Sequence, residues 1–275
     1  MVNIKILLEN SSVNEQCESA HGLSVFIKYN NENILLDTGP DNKFIKNAKL
    51  MGVDLTSVNY LFLSHNHYDH TGGINDFIEV NNSASVYIMD DINNRYYKKK
   101  YFIPVFIGTK LDKKYYSRVN HVKEDLIINN KIYFLKNTAT VNEKPTANKA
   151  LFKKEKGRIV NDTFDHEGIL VLEDNNELLI FDSCSHNGVL NIIETVKTKI
   201  PDKLIRSYTG GLHLSNPGTE KHENHEYLDY LIKQIKNMNI RLYTGHCTGR
   251  FALDYMKEKL GDMMQEINTG MELSI

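Results

Sequence analysis

Six consecutive residues, His65-Asn66-His67-Tyr68-Asp69-His70, carry four groups able to ligate a metal ion. Neutral imidazole nitrogens and a carboxylate oxygen suit zinc, and they also suit manganese or iron. Alternate residues of an extended segment point the same way, so His65 and His67 can converge on one ion. Asp69 and His70 stand where the chain turns and can face a second ion beside the first. Thr71-Gly72-Gly73 lets the backbone bend tightly behind them. A polar surface loop is the plainer reading of such a run. Four ligand groups directly after an apolar strand and before two glycines argue against it.

Two ions need more ligands than one loop supplies. The chain repeats the same device at His186, His213 and His246, each placed after an apolar strand and beside small residues. Histidines at the ends of adjacent strands would gather on one rim of a sheet, where binding sites tend to form. A lone histidine after a strand is more often structural than a ligand, but beside the first cluster His186 and His246 read as ligands. His213 has three open roles: ligand, hydrogen-bond donor to substrate, or general acid.

Strands must present these histidines. Val58–Leu63 reads as a buried strand running straight into the first cluster. Leu23–Tyr29 alternates, Asn30-Asn31 marks a turn, and Asn33–Leu36 returns as the second arm of a hairpin that stops at Asp37-Thr38-Gly39-Pro40. Helical spacing spans Asp41–Met51, with Gly52 as its C-terminal cap, and a short helix is predicted over Ile74–Val80. In the second half, strands over Gly168–Leu172 and Leu178–Phe181 flank the turn Asp174-Asn175-Asn176. Strands over Lys203–Tyr208 and Arg241–Tyr243 lead to His213 and His246. Helices are predicted over Val189–Lys199, Glu223–Met238 and Phe251–Leu260, with a last strand near Met271–Ile275. Strands alternating with helices in both halves predict an α/β protein of layered sheets with helices outside.

The segment from Asp90 to about Asp165 is less regular and reads as an insertion into a single domain spanning 1–275. Its run Arg95-Tyr96-Tyr97-Lys98-Lys99-Lys100-Tyr101 has two readings. One is a solvated surface. The other is an electropositive mouth for a phosphate, with the tyrosines stacking on an aromatic ring.

Composition narrows the function classes. Against 35 acidic residues stand 33 basic ones, a net charge of −2, which excludes a broadly basic nucleic-acid binder. Apolar runs such as Tyr60-Leu61-Phe62-Leu63 are too short to cross a bilayer. Three cysteines are too few for a disulfide framework. Cys247 reads as packed, and Cys184 as packed or, in a second reading, a thiolate ligand or redox group. The segment Met1–Asn10 reads as a strand and not a signal peptide, so a cytoplasmic location is expected. The expected partner is a small-molecule substrate, without nucleic acid or membrane; a homo-oligomer stays open.

His65-x-His67-x-Asp69-His70 followed by Gly72-Gly73, with Leu35-Leu36-Asp37-Thr38-Gly39 before it, resembles the signature of the metallo-β-lactamase-fold hydrolases. Four further segments resemble one branch, the dihydropterin-methyl ribofuranosylaminobenzene phosphate synthase-like proteins. They are His21-Gly22-Leu23-Ser24, Cys184-Ser185-His186-Asn187-Gly188, Gly210-Gly211-Leu212-His213-Leu214 and Thr244-Gly245-His246-Cys247-Thr248-Gly249. The resemblance covers nearly the whole chain, most weakly in the insertion. It implies a four-layer αββα sandwich with two divalent metal ions at one sheet edge, zinc ahead of manganese or iron. His65, His67 and His186 would hold the first ion, and Asp69, His70 and His246 the second. Asp37 is implied to support the metal loop by accepting hydrogen bonds.

One departure stands out. Many relatives end a strand here in Gly-Asp, whose carboxylate bridges the ions, whereas this chain reads Phe181-Asp182-Ser183-Cys184. Asp182 is out of that register, which leaves Cys184 or His186 for the bridging place and leaves the metal count open. His166 competes with His186 for the third ligand position, and His186 is favoured. The implied function is a metal-dependent hydrolase in which a metal-activated hydroxide attacks a small-molecule ester, a phosphate ester ahead of a carboxylic ester, thioester or lactone. Asp69 would orient the nucleophile or take its proton. His213 would hold the substrate or protonate the leaving group. Two other classes stay open: an iron-dependent oxidoreductase of the same fold, and a metabolite-binding sensor with little activity.

Overall fold

Short runs of β-branched, leucine and aromatic side chains become the strands, and most of those residues are fully buried. A computed structural model describes residues 1–100, 103–216 and 221–275. Tyr101 of the basic run falls outside them. The chain divides into two compact units: one holds 1–124, 151–168 and 267–275, the other 125–150 and 169–266.

The first unit is built on a seven-stranded sheet. Its spatial order is Glu272–Ser274, Asn3–Leu8, Ser24–Tyr29, Glu32–Leu36, Tyr60–Leu63, Ser85–Met89 and Val119–Val122. The expected hairpin pairs Tyr29 with Glu32 across Asn30-Asn31, and Asn30 takes the left-handed backbone (φ 52°) that such a turn needs. From Glu32–Leu36 onward the strands run parallel. Helices Lys43–Leu50 and Ile74–Val80 make two of the crossovers. Both pack apolar faces, through Phe44 and Ala48 and through Ile74, Phe77 and Ile78. Each parallel strand therefore delivers its following loop to the same end of the sheet. That end carries Asp37 and the cluster from His65 to His70.

A second, four-stranded antiparallel sheet also belongs to this unit, in the order Arg158–Asn161, Leu151–Glu155, Tyr96–Lys100 and Ile103–Phe106. It is formed from the ends of the expected insertion; the middle of that segment, 125–150, belongs to the other unit.

The second unit repeats the hairpin-then-parallel plan. Its sheet order is Met264–Glu266, Arg241–Thr244, Leu204–Thr209, Glu177–Phe181, Gly168–Asp174, Ile132–Lys136 and Leu126–Ile128. Asn175 and Asn176, both left-handed (φ 52° and 66°), close the hairpin that pairs Asp174 with Glu177. Glu177–Phe181, Leu204–Thr209 and Arg241–Thr244 are parallel, with helices Val189–Lys199 and His225–Met238 between them. The second helix starts two residues later than its apolar spacing suggests. Asn224 caps it by accepting the Tyr227 N–H at 2.8 Å, and a capping residue lies outside the helix it starts. The loops after these three strands carry His186, His213 and His246. No helix among the described residues is long and apolar enough to cross a membrane.

Candidate metal centre

In the first unit, Tyr60–Leu63 ends in four buried residues, Ser64 to His67. Asp37, fully buried at the end of Glu32–Leu36, reaches across to hold them. Its Oδ1 accepts the Ser64 N–H at 2.7 Å, and its Oδ2 accepts the Ser64 hydroxyl at 2.7 Å and His70 Nδ1 at 2.8 Å. The Ser64 hydroxyl has one proton and gives it to Asp37. Its oxygen, 2.9 Å from His65 Nδ1, therefore accepts from that ring. This donor arithmetic places a proton on Nδ1 of both His65 and His70, so Nε2 is the nitrogen that either ring, when neutral, offers as a lone pair. A second bond of this kind orients a metal-binding imidazole and raises its basicity.

The four predicted groups of the cluster lie together. The His65 ring centroid is 4.6 Å from that of His67 and 4.3 Å from that of His70. His70 Nε2 lies 3.7 Å from Asp69 Oδ2. The backbone is strapped as tightly. Thr38 N–H donates to His70 O at 2.7 Å, and Gly73 N–H to Gly39 O at 3.1 Å. A Cβ on Gly72 would stand 2.1 Å from Pro40 O, so only glycine lets the two loops approach this closely.

Electrostatics separate the histidines. Burial, helped by the nearby His166, drops the His67 pKa to about 4, so His67 is neutral at neutral pH and suited to ligation. Burial also opposes charge on His70, but the Asp69 and Asp37 carboxylates outweigh it and raise its pKa. His166, the rival ligand, groups with His67 and Asp162, their ligand atoms all within 4.8 Å of one another. Its Nδ1 accepts the Asn66 N–H at 3.2 Å and its Nε2 donates to Asp162 Oδ2 at 3.1 Å. It braces the metal loop through the Asn66 backbone. The Asp162 carboxyl is buried, which alone would raise its pKa, but His166, His67 and the Phe164 N–H together more than reverse this and the value falls to about 2.

In the second unit, Asp182 accepts the Cys184 N–H at 3.2 Å and the Ser185 N–H at 2.8 Å through Oδ1, so it shapes the turn that presents His186. His186 Nδ1 is 3.0 Å from Asn148 Oδ1, whose amide also donates to His186 O at 2.7 Å. Because a carboxamide oxygen only accepts, His186 carries its proton on Nδ1 and keeps a lone pair on Nε2. His213 lies beside it, ring centroids 4.1 Å apart. Its N–H points at Cys247 Sγ, 3.3 Å away, and Cys247 Sγ is 3.4 Å from Cys184 Sγ. His246, buried, opens the turn after Arg241–Thr244.

Asp37, Ser185, His213 and His246 all adopt left-handed backbone, with φ between 51° and 60°. Such conformations cost of order 1–3 kcal/mol each and persist only where surrounding contacts impose them. Several supporting residues gave no signal in the sequence. Ser64, Asn66 and Asn148 are ordinary loop polar residues by type, and only their hydrogen bonds reveal them. Asn66 is the clearest case, since its side-chain amide donates to the carbonyls of Asp91 and Ile92 at 3.2 and 3.1 Å and its oxygen accepts the Thr109 N–H at 3.2 Å.

The donor set fits divalent cations: imidazoles oriented through Nδ1, and carboxylate oxygens beside them. The comparisons agree. A family model described as the metallo-beta-lactamase superfamily matches residues 20–184. The chain is 27% identical over 299 residues to the 7,8-dihydropterin-6-methyl-4-(beta-D-ribofuranosyl)-aminobenzene-5'-phosphate synthase of Methanocaldococcus jannaschii, covering 98% of this chain and 95% of that one. Among solved structures it is similar to Tm1679, described as a metal-dependent hydrolase of the beta-lactamase superfamily. That likeness has a TM-score of 0.84 at 24% identity and covers 100% and 99% of the two chains. Zn(2+)-bound PqqB from Methylobacterium extorquens shares the fold at a TM-score of 0.56 and 10% identity, over 99% and 100% of the two chains.

Proposed function

The chain belongs to the metallo-beta-lactamase superfamily, and from that premise we propose that it is a metal-dependent hydrolase of small-molecule esters, with phosphate esters as the favoured class. The observation that carries this reading is the braced cluster of His65, His67, Asp69 and His70. Two of its imidazoles present Nε2 because Asp37 and Ser64 occupy the other nitrogen. His186, with Nδ1 held by Asn148, is built in the same way. The proposed ligands are those expected from the sequence, His65, His67, Asp69, His70, His186 and His246, for two divalent ions, zinc first.

Bound cations would supply Lewis acidity and lower the pKa of a coordinated water. The chain's own groups do the rest. Asp69 Oδ2 orients the attacking water or accepts its proton. His213 binds the substrate or passes a proton to the leaving oxygen. The named product of the similar synthase carries a 5'-phosphate, which supports a phosphorylated substrate for this chain as well. A cytoplasmic site of action is part of the same proposal.

The test is direct. Protein purified without added metal is analysed for its ions, then assayed after zinc loading against phosphate monoesters, phosphodiesters, carboxylic esters and thioesters. Zinc-dependent cleavage of a phosphate ester supports the reading. Bound iron with oxygen-dependent turnover, and no ester cleavage, overturns it.

A further inference from the structure

The four-stranded sheet of the first unit is bonded directly to the metal loop. Tyr68 N–H donates to Ile107 O at 2.8 Å, and Ile107 N–H donates to Tyr96 O at 2.9 Å. His67 and Gly108 form a β-bridge. Tyr96, fully buried, sets its ring 5.9 Å from His67 and 4.1 Å from His166. One face of Tyr96–Lys100 therefore looks onto the metal loop. Alternate residues of a strand share a face, so Lys98 lies on the Tyr96 side, about 7 Å further along.

The basic run thus sorts itself. Lys99 is on the opposite face, its ammonium 4.4 Å from the Phe152 ring centroid. Arg95 lies over Phe106 at 5.6 Å. Lys98 is half-buried. Burial lowers its pKa, and the Asp69 carboxylate pulls the other way. The charge on Lys98 also reaches His21, whose Nε2 is 3.4 Å from Asp69 Oδ2. An ammonium at the edge of a cluster of imidazoles and a carboxylate is out of place as a ligand. It is well placed to meet an anion that the cluster receives.

We propose that Lys98 is the anion-binding residue of this site, receiving the phosphate group of the substrate on the Tyr96 face of the four-stranded sheet. This rests on the hydrolase reading for the word substrate, but not for the binding event. A lysine ammonium binds phosphate as a point charge with three donors. Its half-burial strengthens that attraction relative to a solvated lysine. The same charge, close to Asp69, discriminates against neutral substrates, which gain nothing from it.

The experiment uses zinc-loaded protein with inorganic phosphate as the probe. Phosphate binding is measured by titration calorimetry for the wild type, Lys98→Gln and Lys98→Arg, alongside metal content. Lys98→Gln is expected to weaken phosphate binding about tenfold or more, as for loss of one charge-assisted hydrogen bond. Lys98→Arg should retain most of it, and both variants should keep wild-type zinc content. Wild-type phosphate affinity in Lys98→Gln overturns the proposal. So does zinc loss in that variant, which would make Lys98 a support of the loop that carries Asp69, since removing a positive charge beside a carboxylate does not by itself weaken cation binding. Acetate in the same titration separates the anion classes, and binding tighter than phosphate overturns the phosphate assignment. Phosphate binding that depends on Lys98 in a protein that cleaves no ester would sink the hydrolase reading and leave this inference standing. Ester cleavage with phosphate affinity indifferent to Lys98 would do the reverse.

Discussion

At the scale of the residue, the site depends on which nitrogen each imidazole offers. Asp37 decides this for two rings through three accepted hydrogen bonds. Asp37→Asn would turn an amide N–H toward groups that already donate. Metal affinity should fall on the order of 10–100-fold, the usual effect of losing such support, and competition with a chromogenic chelator would measure it. Undiminished affinity would mean that the rings hold their orientation without Asp37.

His67 makes a pH prediction. Its pKa falls from 6.5 in the unfolded chain to about 4 in the folded one. A depressed histidine adds stability that is complete above pH 6.5 and is lost as pH falls through 4, about 3 kcal/mol at most. His70, raised by its carboxylates, works in the opposite sense and loses its contribution as pH rises. It is present in both wild type and His67→Gln, so comparing the two isolates His67. In urea unfolding of metal-free protein, the wild type should lose ground to the variant between pH 6.5 and 4; parallel profiles would contradict this. His213→Ala carries a different expectation. It should reduce turnover well beyond any loss of zinc if His213 serves the substrate, and equal losses would make it a ligand.

At the scale of the element, a strand's end matters more than its length. Three parallel strands, Glu32–Leu36, Leu204–Thr209 and Arg241–Thr244, stop where a left-handed residue or a glycine turns the chain, and a chemistry-bearing side chain lies in that turn. Gly210, after Leu204–Thr209, has φ 143°, and a Cβ there would stand 1.7 Å from Asp182 O. Gly210→Ala should therefore destabilise the protein by well over 1 kcal/mol. It should also disturb the turn at Ser185, since Ser185 Oγ donates to Gly211 O at 2.6 Å. Thermal unfolding of Gly210→Ala against a surface control such as Gly157→Ala, where no atom lies within 4 Å of the added carbon, separates the close approach from a general cost of left-handed backbone. Similar losses in both would refute the steric account. The four-stranded sheet shows the same economy. It reaches the loop of His65 to His70 through the Tyr68 N–H bond to Ile107 O, the His67–Gly108 bridge and one buried tyrosine.

At the scale of the whole molecule, metal binding and folding should be linked. An ion that binds the folded chain at 1,000 times its dissociation constant adds about 4 kcal/mol. Chelation should lower Tm by several degrees and zinc should restore it, as read by calorimetry. A Tm indifferent to both chelator and zinc would argue that no ion binds the folded chain with that affinity.

Much of this is legible in the order of the residues alone. Val58–Leu63 and Ile74–Val80 could be placed because burial imposes a period on apolar residues, and periodicity survives in a one-dimensional string. The cluster from His65 to His70 could be singled out because His, Asp and Gly at short spacing are rare without a use. Other features needed three dimensions. Lys98 and Lys99 are neighbours of one type, and nothing in their order says which faces the site. Pairing with Leu151 and Val105 does. The limits of the insertion, the tautomers of His65 and His186, and the fate of His166 were equally hidden, because each depends on a partner tens of residues away. Local chemistry is written in local order, whereas the orientation of a side chain is set by whatever the fold brings against it.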